Sequence, residues 1–138
     1  MFSGTTKYIM DANVIKILSV ADIRSKINNN RIIATIPDVK HEVQDSISKL
    51  SIIHLDNLNS DAYKKIKDIL KLQCVKNVIN YYNNKGTADV VLLAHALTVG
   101  GTGILSDEVV IVTNDVTLRH ACDELGIIWK SAEDFKLI

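Results

Sequence analysis

The stretch VVIVTNDVTLRHACDELGI, residues 109–127, decides the fold class of this chain. It opens with four consecutive β-branched residues, and an apolar run without alternation is typical of a strand that is buried on both faces. A helical pattern follows at once and ends at Gly126. Asp115 stands where the strand gives way to the helix, a position that suits a helix cap and a metal ligand equally well. The stretch therefore predicts a buried parallel strand and a helix with an acid at their junction.

Four other short runs rich in Ile and Val predict strands, at residues 7–11, 31–35, 51–55 and 127–129. Helical patterns separate most of them, at residues 13–19, 37–49, 60 to about 83, 87–97 and 116–125. The third of these loses its phase near Gln73 and is compatible with two helices. Strands that alternate with helices indicate an α/β fold with a parallel sheet and helices on both faces. A length of 138 residues suits one domain, and we expect a single domain over residues 1–138.

The composition limits the classes of protein to which this chain could belong. Sixteen basic and sixteen acidic residues give no net charge, so any nucleic-acid binding has to come from local patches. Cys74 and Cys122 are far apart and form no CxxC pair, which excludes a zinc ribbon. The N-terminus lacks the pattern of a signal peptide, and the longest apolar run, 90–99, is half the length of a membrane span. We therefore expect a soluble, cytoplasmic protein that does not enter membranes.

Four acids fall at places where a ligand site is expected. Asp11 and Asp115 close predicted strands, and ligands of open α/β sheets bind beyond the carboxyl ends of strands. Asp89 lies in the first turn of a very apolar helix, and Glu42 lies in the helix after the second strand, near its first turns. Taken singly, Glu42 also suits a solvated helix position, and Asp89 suits the positive end of a helix. Four carboxylates in one pocket would repel one another unless they bound protons or a cation, and Mg²⁺ or Mn²⁺ prefers such ligands.

At these four positions the chain resembles the PIN-domain nucleases. The segments that carry the resemblance are YIMDANVI, IPDVKHEVQD, KGTADVVLLAHAL and VIVTNDVTLRHACDELGI, in this order along nearly the whole chain. The resemblance implies a three-layer α/β/α sandwich with a five-stranded parallel sheet, and a Mg²⁺- or Mn²⁺-dependent ribonuclease. It also implies that the metal ligands, and catalytic residues, are Asp11, Glu42, Asp89 and Asp115.

Further residues match supporting positions of that family. Asn13 and Thr113 stand where side chains often assist by hydrogen bonding. Ala12 departs from the pattern, because many members carry Ser or Thr there, so any help from a hydroxyl group at this position is absent. Arg119, one turn after Asp115, is a candidate for binding a substrate phosphate.

The resemblance leaves the biological role open. The short, single-domain build is similar to VapC-type toxins, which cleave RNA, are silenced by a small antitoxin protein and often form homodimers. The alternatives are a PIN endonuclease of ribosomal RNA processing, which usually carries a zinc ribbon, and a non-catalytic RNA- or protein-binding module. A phosphotransfer receiver is a rival from another class, since Asp56 follows the third strand as a phosphoacceptor would. A receiver needs a second acid beside Asp11, however, where Ala12 and Asn13 stand.

Overall fold

The computed structural model of the protein describes residues 6–29, 31–78, 87–99 and 108–138. The strands are β1 (Thr6–Met10), β2 (Ile32–Thr35), β3 (His54–Leu55), β4 (Glu108–Val112) and β5 (Ile128–Lys130). The helices are α1 (Ala12–Ile17), α2 (Val20–Asn28), α3 (Pro37–Glu42), α4 (Ile47–Leu50), α5 (Ser60–Ile69), α6 (Gln73–Lys76), α7 (Thr87–Val99), α8 (Val116–Leu125) and α9 (Ala132–Leu137). No helix within these ranges is both long and apolar enough to cross a membrane.

The strands form one sheet in the order β3-β2-β1-β4-β5, and all neighbours in it are parallel. The chain builds outward from β1 to β3 and then returns to the other side of β1 with β4. The direction of winding therefore reverses between β1 and β4, and such a reversal opens a crevice beyond the carboxyl ends of the two strands. Asp11 directly follows β1, and Asp115 lies three residues after β4. Both acids consequently stand at this crevice.

Contacts of β1 show that helices cover both faces of the sheet. Successive side chains of a strand point to opposite faces. Tyr8 packs edge-on against Phe135 of α9, with ring centroids 5.6 Å apart. Its neighbour Lys7 contacts Asp56, and Asp56 contacts His95 of α7. Because α9 and α7 lie on opposite faces, the predicted three-layer α/β/α sandwich with a five-stranded parallel sheet is confirmed.

The predicted elements differ from the observed ones in a few places. The third strand is shorter, because residues 51–53 form a turn after α4. The helical pattern of 37–49 is interrupted by a turn at 43–45, which separates α3 from α4. The pattern that begins at residue 60 is two helices, α5 and α6, and its end lies outside the described residues.

Two helices were not predicted, α2 and α9. Each begins with the pattern Ser-x-x-Asp, in which Ser19 or Ser131 accepts a hydrogen bond from the backbone of the acid three residues later. At α2 the carboxylate of Asp22 also accepts from the backbone N–H of Ser19 and completes a capping box. This pattern is a known signal of a helix N-terminus, and it is present in the sequence.

Candidate metal centre

Asp11 is held in place at both of its carboxylate oxygens. Oδ1 accepts a hydrogen bond from the backbone N–H of Val14 at 2.8 Å and so caps α1. Oδ2 accepts a hydrogen bond from the hydroxyl group of Thr113. The backbone N–H of Asp11 donates to the carbonyl oxygen of Val112 at 3.2 Å, which joins the end of β1 to the end of β4. The residue is 3% exposed, so this carboxylate is fixed within the crevice rather than solvated.

Thr113 links the two acids that follow the strands. Its buried hydroxyl group donates to Asp11 and accepts from the backbone N–H of Asp115 at 3.0 Å. Oδ1 of Asp115 caps α8 by accepting from the backbone N–H groups of Thr117 and Leu118, at 2.8 and 3.2 Å. Oδ2 of Asp115 accepts no hydrogen bond from the described residues. The cap therefore uses one oxygen and leaves the other for a ligand, so the two roles of Asp115 are compatible.

Asp89 brings a third acid to the crevice from α7. It lies in the first turn of that helix, as predicted, and it is partly buried. Burial, and then repulsion from Asp11, Asp115 and Glu42, raises the pKa of Asp89 from 3.8 to about 7. Because three other acids act on this carboxyl group, the four predicted ligands lie within electrostatic range of one another.

Glu42 lies in the helix that begins at Pro37 after the second strand, as predicted. It is the last residue of this short helix, α3, and it is exposed. It borders an open cleft of about 370 Å³ that extends to Ala88, the residue before Asp89. The other residues that line this cleft are Pro37, Asp38 and His41. Glu42 thus belongs to the solvent side of the site, whereas Asp11 forms its buried side.

The pKa of Asp11 is also raised, as expected for a buried acid with acidic neighbours. Burial raises the pKa of Asp11, and the charges of Asp115 and Glu42 add to the effect. Hydrogen bonds from Thr113 and Val14 act in the opposite direction. Without an ion, the acids therefore repel one another, and a proton or a cation relieves this repulsion.

The residues present fit a divalent cation. All four donors are carboxylates, the hard oxygen ligands that Mg²⁺ and Mn²⁺ prefer. Asp115 has a spare oxygen, and the charges of Asp11, Asp115 and Glu42 give Asp89 negative surroundings that a cation would neutralise. In the described ranges, however, no three His, Cys, Asp or Glu side chains already stand as a ligand set. The fit to a cation therefore rests on the chemistry of the donors and on their mutual repulsion.

Of the supporting residues, Thr113 has the expected contacts and Asn13 does not. Asn13 is exposed on α1, and no hydrogen bond joins it to the acids among the described residues. Arg119 lies close to the site: its Nε donates to the carbonyl oxygen of Thr113 at 3.4 Å. Its guanidinium carbon is 4.7 Å from the ring centroid of Trp129, a cation–π contact that holds the side chain beside the acids.

A groove of about 740 Å³ begins next to Asp115. It lies between α6 and α8 and has both polar and apolar walls. The residues that line it are Leu72, Gln73, Cys74, Asn77, Val116, Thr117, His120 and Glu124. Val116 and Thr117 directly follow Asp115, so one end of the groove lies at the N-terminus of α8.

A second group of charged side chains, around Asp56, was not predicted from the sequence. The Lys7 ammonium and Nε2 of His95 are each 2.9 Å from Oδ2 of this buried carboxylate, and Nε2 of His54 is 3.3 Å from Oδ1. Burial raises the pKa of Asp56, but the hydrogen bonds from His95 and Lys7 outweigh burial, and the pKa is lowered. No short motif joins these residues, so the sequence carried no signal of the group. At 5% exposure and with these partners, Asp56 is not an accessible phosphoacceptor, which removes the main support for a receiver domain.

The fold, with its crevice between β1 and β4, is the three-layer α/β/α sandwich that the resemblance implied. Neither a protein-family model nor a curated protein matches the chain. Among solved structures, it is similar to a chain of VapBC-1 from nontypeable Haemophilus influenzae, with a TM-score of 0.59 and 13% identity. That alignment covers 92% of this chain and 98% of the other.

A second similar chain belongs to the structure of VapBC2 from Rickettsia felis bound to a DNA fragment from their promoter. The TM-score is 0.58 and the identity 15%, over 91% of this chain and 98% of that one. At such identities the likeness establishes a shared fold over nearly the full length of both chains.

Proposed function

We propose that this protein is a metal-dependent endoribonuclease that hydrolyses phosphodiester bonds of RNA. The observations that support the proposal are that Asp11 and Asp115 follow the adjacent strands β1 and β4, and that both of them, together with Glu42, repel the carboxylate of Asp89. A partly buried carboxyl group with three acidic neighbours is stabilised by a proton or a cation. Mg²⁺ or Mn²⁺ is the cation that this donor set suits.

Each acid has a separate part in this site. The chemistry that such an ion supplies is activation of water and stabilisation of the leaving oxygen in phosphodiester hydrolysis. Asp11 is the fixed ligand, since Val14 and Thr113 orient its two oxygens. Asp115 offers Oδ2 while Oδ1 keeps the helix cap. Asp89 holds a proton in the absence of an ion and loses it on binding, and Glu42 completes the set from the solvent side.

RNA is the substrate that the surroundings support. The groove beside Asp115 has room for nucleotides, and Gln73, Asn77 and Thr117 supply hydrogen-bonding groups along it. Arg119 supplies a cation next to the acids, and a guanidinium group pairs well with phosphate oxygens. We expect Arg119→Gln to raise the KM for RNA several-fold, with little change in kcat.

The proposal is tested by incubating the purified protein with RNA in Mn²⁺, in Mg²⁺ and in EDTA. Cleavage is expected with either ion and not in EDTA. Asp89→Asn and Asp115→Asn are expected to abolish cleavage and to leave the far-UV circular dichroism unchanged. Glu133→Gln is the matched control, because Glu133 is an exposed acid on α9, on the other face of the sheet. Cleavage by both Asn variants at the parental rate would refute the site.

The biological role that we propose is that of a toxin whose partner is a small antitoxin protein. The likeness to chains of two VapBC structures and the resemblance of the sequence to VapC-type toxins support this role. Induced expression should then arrest growth, expression of the Asp89→Asn variant should not, and a small protein encoded beside the gene should co-purify. Binding of RNA without metal and without cleavage would instead favour the non-catalytic module.

A further inference from the structure

Helix α7 presents a problem of orientation. It carries Asp89 to the crevice, yet its sequence is apolar on nearly all sides. Residues 92–96 are all buried, so the middle of the helix has no exposed face. The hydrophobic effect is not directional and scales with buried area, so a helix of this kind gains nearly the same burial in neighbouring rotations. Apolar packing alone therefore leaves the position of Asp89 poorly determined.

One directional contact on α7 involves a buried side chain outside the group of four acids. His95, six residues after Asp89 and 2% exposed, places Nε2 at 2.9 Å from Oδ2 of Asp56. Because a carboxylate only accepts hydrogen bonds, Nε2 is the donor. The same oxygen accepts from Lys7 of β1, and the backbone N–H of Asp56 donates to the carbonyl oxygen of Thr35 in β2 at 2.9 Å. Asp56 is thus anchored to two strands and offers α7 a fixed acceptor.

We propose that the hydrogen bond between His95 and Asp56 is a positioning contact that sets the rotation and depth of α7 and so holds Asp89 at the metal centre. The inference rests on the proposed function, since it assigns to Asp89 the role of a ligand. Neither His95 nor Asp56 belongs to the set of ligands. They act through the helix.

The size of a helical slip shows why such a contact matters. A slip by one residue moves a helix about 1.5 Å along its axis and turns it by about 100°. Ligands of Mg²⁺ stand about 2.0–2.1 Å from the ion, with little tolerance. A slip of one residue would therefore remove Asp89 from the set. Single buried polar groups fix the register of apolar helices in other settings, such as an Asn within a coiled coil.

The test compares His95→Leu with His54→Leu. Both histidines contact Asp56, but only His95 lies on the helix that carries Asp89. In His95→Leu, Asp56 keeps its partner Lys7, so no buried charge is left alone. Binding of Mn²⁺ is measured by calorimetric titration, and thermal unfolding is measured in EDTA. We expect His95→Leu to bind Mn²⁺ at least about tenfold more weakly, which is the usual effect of losing an outer contact of a metal site. We expect His54→Leu to bind it like the parent.

Two variants that keep this hydrogen bond distinguish a positioning role of His95 from an effect on stability alone. His95→Gln keeps a donor nitrogen at nearly the same reach, and its affinity for Mn²⁺ should return to near the parental value. The double variant Asp56→Asn with Lys7→Met keeps an acceptor for His95 without either charge, and it should also bind Mn²⁺ like the parent. It serves as the decisive variant if His95→Leu does not fold.

The inference is overturned by parental Mn²⁺ affinity in His95→Leu, by an equal defect in His95→Gln and His95→Leu, or by loss of affinity in the double variant. A loss of affinity that merely follows the unfolding temperature would also overturn it, and Ile23→Val, in the buried part of α2, calibrates that relation. If the parent itself binds no Mn²⁺, the proposed function fails and this inference fails with it. Parental binding with an unaffected His95→Leu refutes the positioning role alone.

Discussion

Thr113 carries a single hydroxyl group, and that group serves both acids at the strand ends. We expect Thr113→Val to lower the free energy of unfolding by about 1–3 kcal/mol, because a buried carboxylate oxygen and a buried N–H lose their partner. The pKa of Asp11 should rise further, since the hydroxyl group of Thr113 lowers it. Urea unfolding at neutral pH measures the first effect. Thr113→Ser keeps the hydroxyl group and should behave like the parent, and equal stability of the Val and Ser variants would contradict this account.

Substitution of Asp115 can separate its role as a helix cap from its proposed role as a metal ligand. Asn is as good a helix cap as Asp but a poor ligand for Mg²⁺, whereas Ala is neither. In EDTA, Asp115→Ala should lose about 1 kcal/mol of stability relative to Asp115→Asn, which keeps an oxygen for the backbone of Thr117 and Leu118. Both variants should lose metal-dependent cleavage. If Asp115→Asn cleaves RNA and Asp115→Ala does not, Asp115 is a cap alone.

At the scale of the element, Asp89 of α7 makes the free energy of unfolding depend on pH. The pKa of Asp89 is about 7 in the folded, metal-free protein and near 3.8 in an unfolded chain. Between these values the folded state holds a proton that the unfolded chain has released. The free energy of unfolding should therefore fall as pH rises from about 4 to about 7 in EDTA, and this contribution should level off above the folded pKa. A change of at least about 1 kcal/mol is expected, since one pKa unit corresponds to about 1.4 kcal/mol.

The control is Asp89→Asn, which cannot release this proton and should show a flatter profile. At pH 7 in EDTA it should unfold at a higher temperature than the parent. The opposing effect is the loss of a charge at the N-terminal end of the helix, about 0.3–1 kcal/mol. Mn²⁺ should stabilise the parent more than the variant, because binding to the folded state adds stability. If the variant melts lower in EDTA and Mn²⁺ shifts both proteins equally, Asp89 is a helix residue and not a ligand.

The elements also show what the sequence could and could not predict. Runs such as 109–112 predict buried strands because no polar alternation is present, and the acids that follow them point to the crevice. The end of α3 at Glu42 was not predicted, because it depends on where the chain turns at 43–45. The contact between Asp56 and His95 joins residues that are 39 apart, so neither spacing nor periodicity reveals it.

At the scale of the whole molecule, we expect a homodimer. Several large apolar side chains remain exposed on the described surface, among them Ile47 at 73%, Val116 at 60% and Tyr63 at 57%. Apolar surface of this kind is often covered by a partner. Sedimentation equilibrium at micromolar concentration should give twice the chain mass of 15.3 kDa. A mass equal to that of one chain would contradict the expectation, and substitution of Ile47 and of Tyr63 by Asp tests which surface is involved.

The pairing of β1 with β4 joins parts of the chain that are made at very different times. Thr6 lies opposite Glu108, so the first strand waits for its central neighbour while about a hundred residues between them are synthesised. Until β4 has left the ribosome and inserted beside β1, Asp115 and Asp11 are not together, and a growing chain holds an incomplete set of acids. A protein that cleaves RNA would thus be inert toward the ribosome and the message that are producing it. The proposed activity would arise only when the sheet is complete.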